Sequence, residues 1–581
     1  MFRESGWATY LKTLYAQCES WMTRHPILGA LVGASAYVSV ILTFFMLTYH
    51  DCDDVFILLM SKGVGLVQQP EIMNGRMNIL LSYVLTSLYE WFPKIQWYSL
   101  MCVGTLFLSL WGMLLAVQSS GTQKIFKTTL WVFSGVIYTY FFMSMQWTMT
   151  ASLAAMSAFF LFYVPYRDNK KTSWVVCFLS FFLMALSAGI RSDSFFLVCL
   201  LGVPSVLLFA REFEMTSERK KTLGIFLVLF FVTIAGISFD KLYYESKPEW
   251  SKAMSVFHAY FNLSEARGPV YSIETKPAFN SVGWTQNDLQ LFKACYFLDD
   301  QNYSVEKINK LNGYFPRISA NKRPKEGFKA MFGWLTTQCV LLTCLALLFL
   351  IPHREVHIAI FDVIWTAVVL VFLWLAFKIP ERVYLPCLIF LMNLLLFRAI
   401  PNNWKDKLGK SVGISDKWRN MVVLTLILVF SYSFVLASKK ADRAWREYQG
   451  AFQTTIKSFH PEKDKLYVIW EMAFPYNLIW PFDDYEMFRG WNIVSLTWLQ
   501  RFPVTQRMLD RFGVKDLFRD MVDNPNILLI CEISRAELYQ TYLYEKYGLK
   551  TDLTATYVSN FFCVFEIHLS PEGKSRVASK I

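Results

Sequence analysis

The stretch Tyr49-His50-Asp51-Cys52-Asp53-Asp54 places three carboxylates within four residues at the end of a long apolar run. Like charges this close raise one another's proton affinity, and burial raises it further. A carboxylate so perturbed, at a boundary between hydrocarbon and water, suits a general base or a ligand for a cation or polar substrate. The competing reading is a solvated acidic turn that caps the following helix, where Asp is favoured by a few tenths to about 1 kcal/mol. Arg191 and Asp193, in AGIRSDSFF, also lie close to hydrocarbon. Ionisable groups there face the protein interior and mark functional positions, unless they form a structural ion pair. The seven His are dispersed, and His353 and His357 have helical spacing but no third ligand. The eleven Cys include no CxxC pair, so neither a zinc site nor a disulfide framework is expected, and buried small hydrophobes describe most of them. No GxGxxG or P-loop occurs, which leaves nucleotide handling unsupported.

The elements that must position these residues are membrane spans. Of 581 residues, 54% are hydrophobic, 17% aromatic and only 18% charged. Together with a mean hydropathy of +0.32, this excludes a disordered chain and argues against one large soluble enzyme. A span needs about 20 mostly apolar residues. Residues 27–49, 97–117, 126–144, 147–165, 173–190, 193–210, 222–240, 331–352, 357–377, 381–399 and 419–438 qualify. The first is not a cleavable signal, because 26 polar and aromatic residues precede it and no small-residue cleavage site follows. Residues 77–93 are apolar but short. If they do not cross, about 19 Lys and Arg fall in the loops on the N-terminal side, against about six opposite. The expected fold is therefore mainly α and polytopic, with about eleven spans, a half-inserted or interface-lying helix at 77–93, and the N-terminus inside. The +12 net charge belongs to this inside-positive pattern rather than to nucleic-acid binding. The layout is a cytoplasmic segment 1–26, a seven-span module 27–240 with an acidic first outer loop 50–96, a large outer loop 241–330, four further spans 331–438, and an outer domain 439–581. That last domain reads as a small α/β unit, with strands LYVIW (466–470), NILLIC (526–531) and FFCVFEI (561–567). Ser534 to Glu537 reads as a capping box opening a helix that ends at Gly548.

An Asp-Asp pair just outside the first span, the apolar half-helix with Asn78, and WFPKIQWYSL at the next span resemble a group of bacterial membrane proteins with an Asn-Asp-Asp motif there. FNLSEARGPVY (261–271), GWTQNDLQLFKACYFLDDQNYSVEKINKL (283–311) and IPERVYLP (379–386) look like the same group, so the resemblance covers most of residues 40–400. That group is similar to the GT-C superfamily of membrane glycosyltransferases. Cys52 stands where the motif has Asn, and the second outer loop, Met143 to Trp147, lacks the carboxylate that metal-using members carry. The resemblance thus implies no cofactor, and a divalent metal is unsupported.

The resemblance implies inverting transfer of a sugar from a polyprenyl-phosphate donor to a cell-envelope glycan, lipid or protein acceptor, at the outer face of a bacterial plasma membrane. Such transfer needs a base for the acceptor hydroxyl and positive charge on the leaving phosphate. Asp53 is the expected base, with Asp54 next and Asp51 a substrate ligand. Arg382 is the expected phosphate ligand, since Arg binds phosphate as a fork. Arg191, Lys322 and Arg323, with Lys325 and Lys329 beside them, are further donor-binding candidates. Asn78, Glu265, Arg267, Trp284 and Asp288 match the group's pieces and are expected to contact substrate, Trp284 by stacking on a sugar unless it fills the loop's core. Asp299-Asp300 and Asp483-Asp484 read as exposed turn carboxylates. The rival class is a transporter, flippase or assembly protein for envelope glycolipids. The chain shows no repeat symmetry of the kind secondary transporters carry.

Overall fold

The first apolar run folds as helix α1 (Pro26–Phe44), with Pro26 in its first turn, where a missing N–H leaves no bond unmade. This computed structural model describes residues 20–121, 124–315, 335–348, 353–376, 379–399 and 416–571, together with 10, 17 and 351. After α1 come α2 (Cys52–Lys62), α3 (Ile79–Trp91), α4 (Trp97–Ser119), α5 (Lys124–Met143), α6 (Trp147–Asp168), α7 (Trp174–Glu212), α8 (Ser217–Glu245) and α9 (Pro248–Phe261). Among the described residues six helices are long and apolar enough to cross a membrane. The apolar window of α6 is wholly buried, so α6 forms the centre of the bundle. Helix α8 is the opposite case, with Val228, Phe231, Val232 and Leu242 exposed. Apolar surface on that scale is unstable in water and marks lipid contact. The chain is a polytopic membrane protein.

Two spans expected at 173–190 and 193–210 form the single run α7, broken at Arg191 by an extended backbone (φ −156°, ψ 105°). The chain doubles back there. A Cβ on Gly112 would meet Ser157 and Leu161 of α6 together with Leu183, and one on Gly202 would meet Phe159. Residues 183 and 202 therefore rest on the same stretch of α6, although a straight helix would hold them roughly 28 Å apart. The ambiguous stretch 77–93 is helical over 13 residues, about 20 Å, which is short of the ~30 Å hydrocarbon core. Its Leu80, Tyr83 and Val84 are exposed, while Ser82, Leu85 and Tyr89 are buried.

The loop after α9 contributes α10 (Gln286–Lys293) and α11 (Val305–Tyr314). It is followed by α12 (Leu335–Leu348), α13 (His353–Ala376), α14 (Glu381–Ala399) and α15 (Asp416–Ser458). The last is one 43-residue helix, so the span expected to end at 438 continues for more than five turns into the polar region. Residues 439–449, KKADRAWREYQ, contain no Gly or Pro to stop it.

The C-terminal region holds a five-stranded sheet in the order β4-β3-β5-β7-β6, from β3 (Leu466–Trp470), β4 (Asn492–Leu496), β5 (Ile527–Ile530), β6 (Thr551–Val558) and β7 (Cys563–Leu569). The first three strands are parallel, and β7 runs antiparallel to both β5 and β6. Strands β3, β5 and β7 stand where the sequence places them. Strands β4 and β6 escape it, because Asn492 and Ser495 interrupt the apolar run of β4 and β6 is an edge strand with mostly polar residues. Helix α16 (Pro503–Arg511) follows β4, and α17 (Ile533–Tyr547) follows β5. The capping box expected at Ser534 does not form: α17 starts two residues earlier, behind Glu532, and no side chain caps it. Its end at Gly548, in the left-handed conformation, is as expected.

The large loop and the C-terminal region do not fold separately. Alternate residues of β3 divide between two cores: Leu466, Val468 and Trp470 pack with loop residues such as Leu291 and Phe297, whereas Tyr467 and Ile469 join the core of the membrane module. The Trp470 indole donates to the Ala294 carbonyl at 2.6 Å, and Tyr296 stacks on Phe518 at 3.8 Å. The sheet is thus a wall between the loop and the membrane helices.

Candidate functional site

The acidic turn is fixed by a two-residue parallel bridge, β1 (Thr48–Tyr49) to β2 (Ser144–Met145), which ties the chain entering the first outer loop to the start of α6. The His50 N–H continues it to the Met145 carbonyl at 2.8 Å, and the Thr48 hydroxyl donates to Met143 at 2.7 Å. Asp51 then caps α2 by accepting the Asp53 N–H at 3.1 Å. Helix α2 ends at Gly63 (φ +79°), where a Cβ would lie 2.5 Å from the Pro70 nitrogen, so only glycine fits. Ten of its eleven residues are buried, and Asp53 is the exception.

The three carboxylates meet three different environments. Asp51 accepts from Arg382 at 2.7 Å and from the Gln146 amide at 3.4 Å. Burial pushes it up to about 6, the charge on Asp53 adds to the rise, and Arg382 opposes it. Asp54 is fully buried; one oxygen accepts from the Tyr98 hydroxyl at 2.8 Å and the Trp147 N–H at 3.0 Å, while the other has no hydrogen-bond partner. Burial, with the charge of Asp51 behind it, drives Asp54 well above the carboxylate range, so it is held as a neutral acid that ties α2 to α4 and α6. Asp53 is half-buried and accepts the indole N–H of Trp498, from the C-terminal domain, at 2.8 Å. Burial pushes the Cys52 thiol well up, which keeps it from being a nucleophile.

Guanidinium groups surround these acids. Arg382 opens α14 beside Glu381, which accepts from the Tyr140 hydroxyl at 2.8 Å. Arg191, at the break in α7, lies 4.3 Å over the Trp147 ring, donates to the Thr148 hydroxyl at 3.1 Å, and pairs with Asp193 at 3.6 Å. Arg76 was not singled out by the sequence reading. Its loop is shaped by Gly75 (φ +70°) and by Asn74, whose side-chain oxygen takes the N–H groups of Arg76 and Met77 at 3.0 and 2.8 Å. The Arg76 guanidinium lies 4.1 Å over Trp498, 5.0 Å over Phe257 and 5.9 Å over Trp147. Its buried Nε has no hydrogen-bond partner, and no ion pair is formed by Arg76 among the described residues. Burial lowers its proton affinity and Arg382 lowers it further, while Asp53, Asp51 and Asp193 pull the other way. The available signal was an Arg in NGRMN, held between two capping Asn in an apolar stretch.

No protein-family model matches the chain. No curated protein sequence matches it either. Among solved structures, it is similar to ArnT from Cupriavidus metallidurans bound to undecaprenyl phosphate, at 12% identity over 91% of this chain and 97% of that one, with a TM-score of 0.33.

The structure brings Asp51, Asp53, Asp54, Arg382 and Arg191 into one neighbourhood, and it sends other expected residues elsewhere. Asn78 is a helix cap: it accepts from the Leu80 N–H at 3.0 Å and donates to the Gly236 carbonyl at 3.1 Å, joining α3 to α8. Trp284 is 2% exposed, packs on Phe292 and Tyr303, and donates to the Asn302 carbonyl, so its faces are closed to a sugar. Asp288 is buried in a capping box with Thr285 and accepts from Asn302 at 2.6 Å, so both of its oxygens are engaged within the loop. Glu265 and Arg267 lie in the helical turn after α9, where Arg267 donates to the Phe315 carbonyl. Asp299, expected as an exposed turn carboxylate, is instead half-buried against Tyr542 and Lys546 of α17. Lys322 and Arg323, like Lys325 and Lys329, lie outside the described residues. Among the described residues no group of three or more His, Cys, Asp or Glu is placed to hold a metal ion.

Proposed function

We propose that this chain is a membrane glycosyltransferase of GT-C type. It transfers a sugar from a polyprenyl-phosphate carrier to a cell-envelope acceptor at the outer face of a bacterial plasma membrane, with inversion. The observation that carries this reading is Asp53, the one carboxylate of the turn left open to solvent without a cation of its own, among Arg76, Arg191 and Arg382. In the proposed step the acceptor hydroxyl gives its proton to Asp53 as its oxygen bonds to the anomeric carbon. The bond from that carbon to the phosphate oxygen breaks on the opposite face, and the guanidinium groups hold the departing polyprenyl phosphate.

Arg76 suits the phosphate best, because its charge lacks an ion-pair partner, whereas Arg382 is engaged by Asp51 and Arg191 by Asp193. Asp54 is a positioning residue in this reading, since its neutral carboxyl is spent on Tyr98 and Trp147. The test gives purified protein a polyprenyl-phosphate hexose and envelope acceptors. Asp53→Asn should lose transfer by at least about 100-fold, the scale of a lost general base. Full transfer by that variant would overturn the base assignment. Movement of the intact lipid-linked sugar across vesicles, with no transfer, would favour the transporter class.

A further inference from the structure

We infer that Cys531 and Cys563 are a cross-strand dithiol that closes to a disulfide when the C-terminal domain meets a disulfide-type oxidant. Strands β5 and β7 are antiparallel, with Leu529 opposite Phe565 and Ile530 opposite Val564. One step further in that register sets Cys531 opposite Cys563. Directly opposed residues of an antiparallel pair have Cα atoms about 4.5 or 5.5 Å apart, inside the 4.4–6.8 Å range a disulfide spans.

Side chains alternate along a strand, so Cys531 shares the face of Leu529 and Cys563 that of Phe565, and both of these neighbours pack in the core beneath the large loop. The two thiols are therefore on one side of the sheet. Both are reduced in the structure. They are also close enough for the charge of one to act on the other: Cys531 is pushed up to about 12, first by burial and then by Cys563.

Cys531 is 4% exposed and Cys563 only partly buried, which assigns the order of events. The Cys563 thiolate attacks one sulfur of a small disulfide and releases a thiolate. Cys531 then gives up its proton and attacks the Cys563 sulfur, releasing the second thiolate. Two thiols are oxidised by two electrons and one disulfide is reduced to two thiols. The bond would pin the end of β5 where the chain runs into Glu532 and Arg535, which with Lys293 of the loop border a cleft of about 370 Å³. The expectation of oxidation in the cell rests on the outer-face placement proposed above, because disulfides persist in oxidising compartments.

The test uses full-length protein purified without reductant, and the same protein treated with glutathione disulfide. Each is denatured with a thiol alkylator, digested, and mapped by mass. A linked peptide joining Cys531 to Cys563, absent from Cys563→Ser and Cys531→Ser, is the expected result, and its reduction should lower Tm by roughly 5 °C. Quantitative alkylation of both thiols after glutathione disulfide would overturn the inference. Sugar transfer does not enter this readout, so a chain inactive as a transferase could still show the bond, and an active one could lack it.

Discussion

Replacing Asp51 by Asn should make the protein more stable at alkaline pH, not less. Asp51 is pushed from an ordinary value of 3.8 up to about 6 in the folded chain. A raised value means that the folded state favours the neutral acid. The associated stability is complete below about pH 4 and is lost as pH rises through 6. Two units correspond to roughly 3 kcal/mol between the neutral and ionised forms. The Asp51 side chain keeps 19% of its surface in solvent, and Arg382 keeps 35%, so we take about 1–2 kcal/mol as the working figure. Asn imitates the neutral acid and remains a good N-cap, so the cap on α2 survives. Thermal unfolding of purified protein between pH 4 and 8.5 should show the variant and the parent together at pH 4. The variant should lead by roughly 1–4 °C at pH 8, the shift per kcal/mol being small in a long chain. A variant less stable at pH 8, or a difference that does not change with pH, would refute the account of Asp51 as an ion held against its own folding preference.

Trp498→Phe keeps an aromatic face for Arg76 but removes the indole N–H bond to Asp53. A lost hydrogen bond to a charged group, about 1.5–3 kcal/mol, frees the Asp53 carboxylate from its position; transfer should fall by roughly 10–150-fold and Tm by roughly 2–6 °C. Gly63→Ala must place a methyl group against the Pro70 nitrogen in a left-handed backbone; it should lose at least about 1–2 kcal/mol of stability, read from the denaturation midpoint. Trp284→Ala should lose about 3–5 kcal/mol of stability in the loop and C-terminal unit, with no specific rise in KM at temperatures where it stays folded.

The membrane module was legible in the sequence because span length is a fact of composition, and the reversal at Arg191 showed as a charge between two apolar runs. The acidic turn was legible too, since three carboxylates in four residues at a boundary demand an explanation. Which of the three is accessible was not. That depends on Tyr98 and Trp147 closing over Asp54, and on Arg382 arriving from more than 300 residues away. Arg76 was missed for a related reason: its partners are rings from three separate segments, which periodicity cannot bring together. For Trp284 and Asp288 residue pattern alone left two readings open, because a ring that fills a core and one that stacks on a sugar look alike in a string of residues. The union of loop and C-terminal sheet was invisible because β3, buried on both faces, shows no alternation to name its two partners.

The hydrogen bond from Trp498 to Asp53 spans 445 residues of chain. During synthesis the acidic turn is made and inserted long before its indole partner exists, and the seat beneath Arg76 stays open until the last domain has folded back. A chain stalled or clipped before residue 498 would carry the three carboxylates of the turn with Arg76, Arg191 and Arg382, and still lack the finished site. Completion of the site would then be a single late event in the folding of the chain.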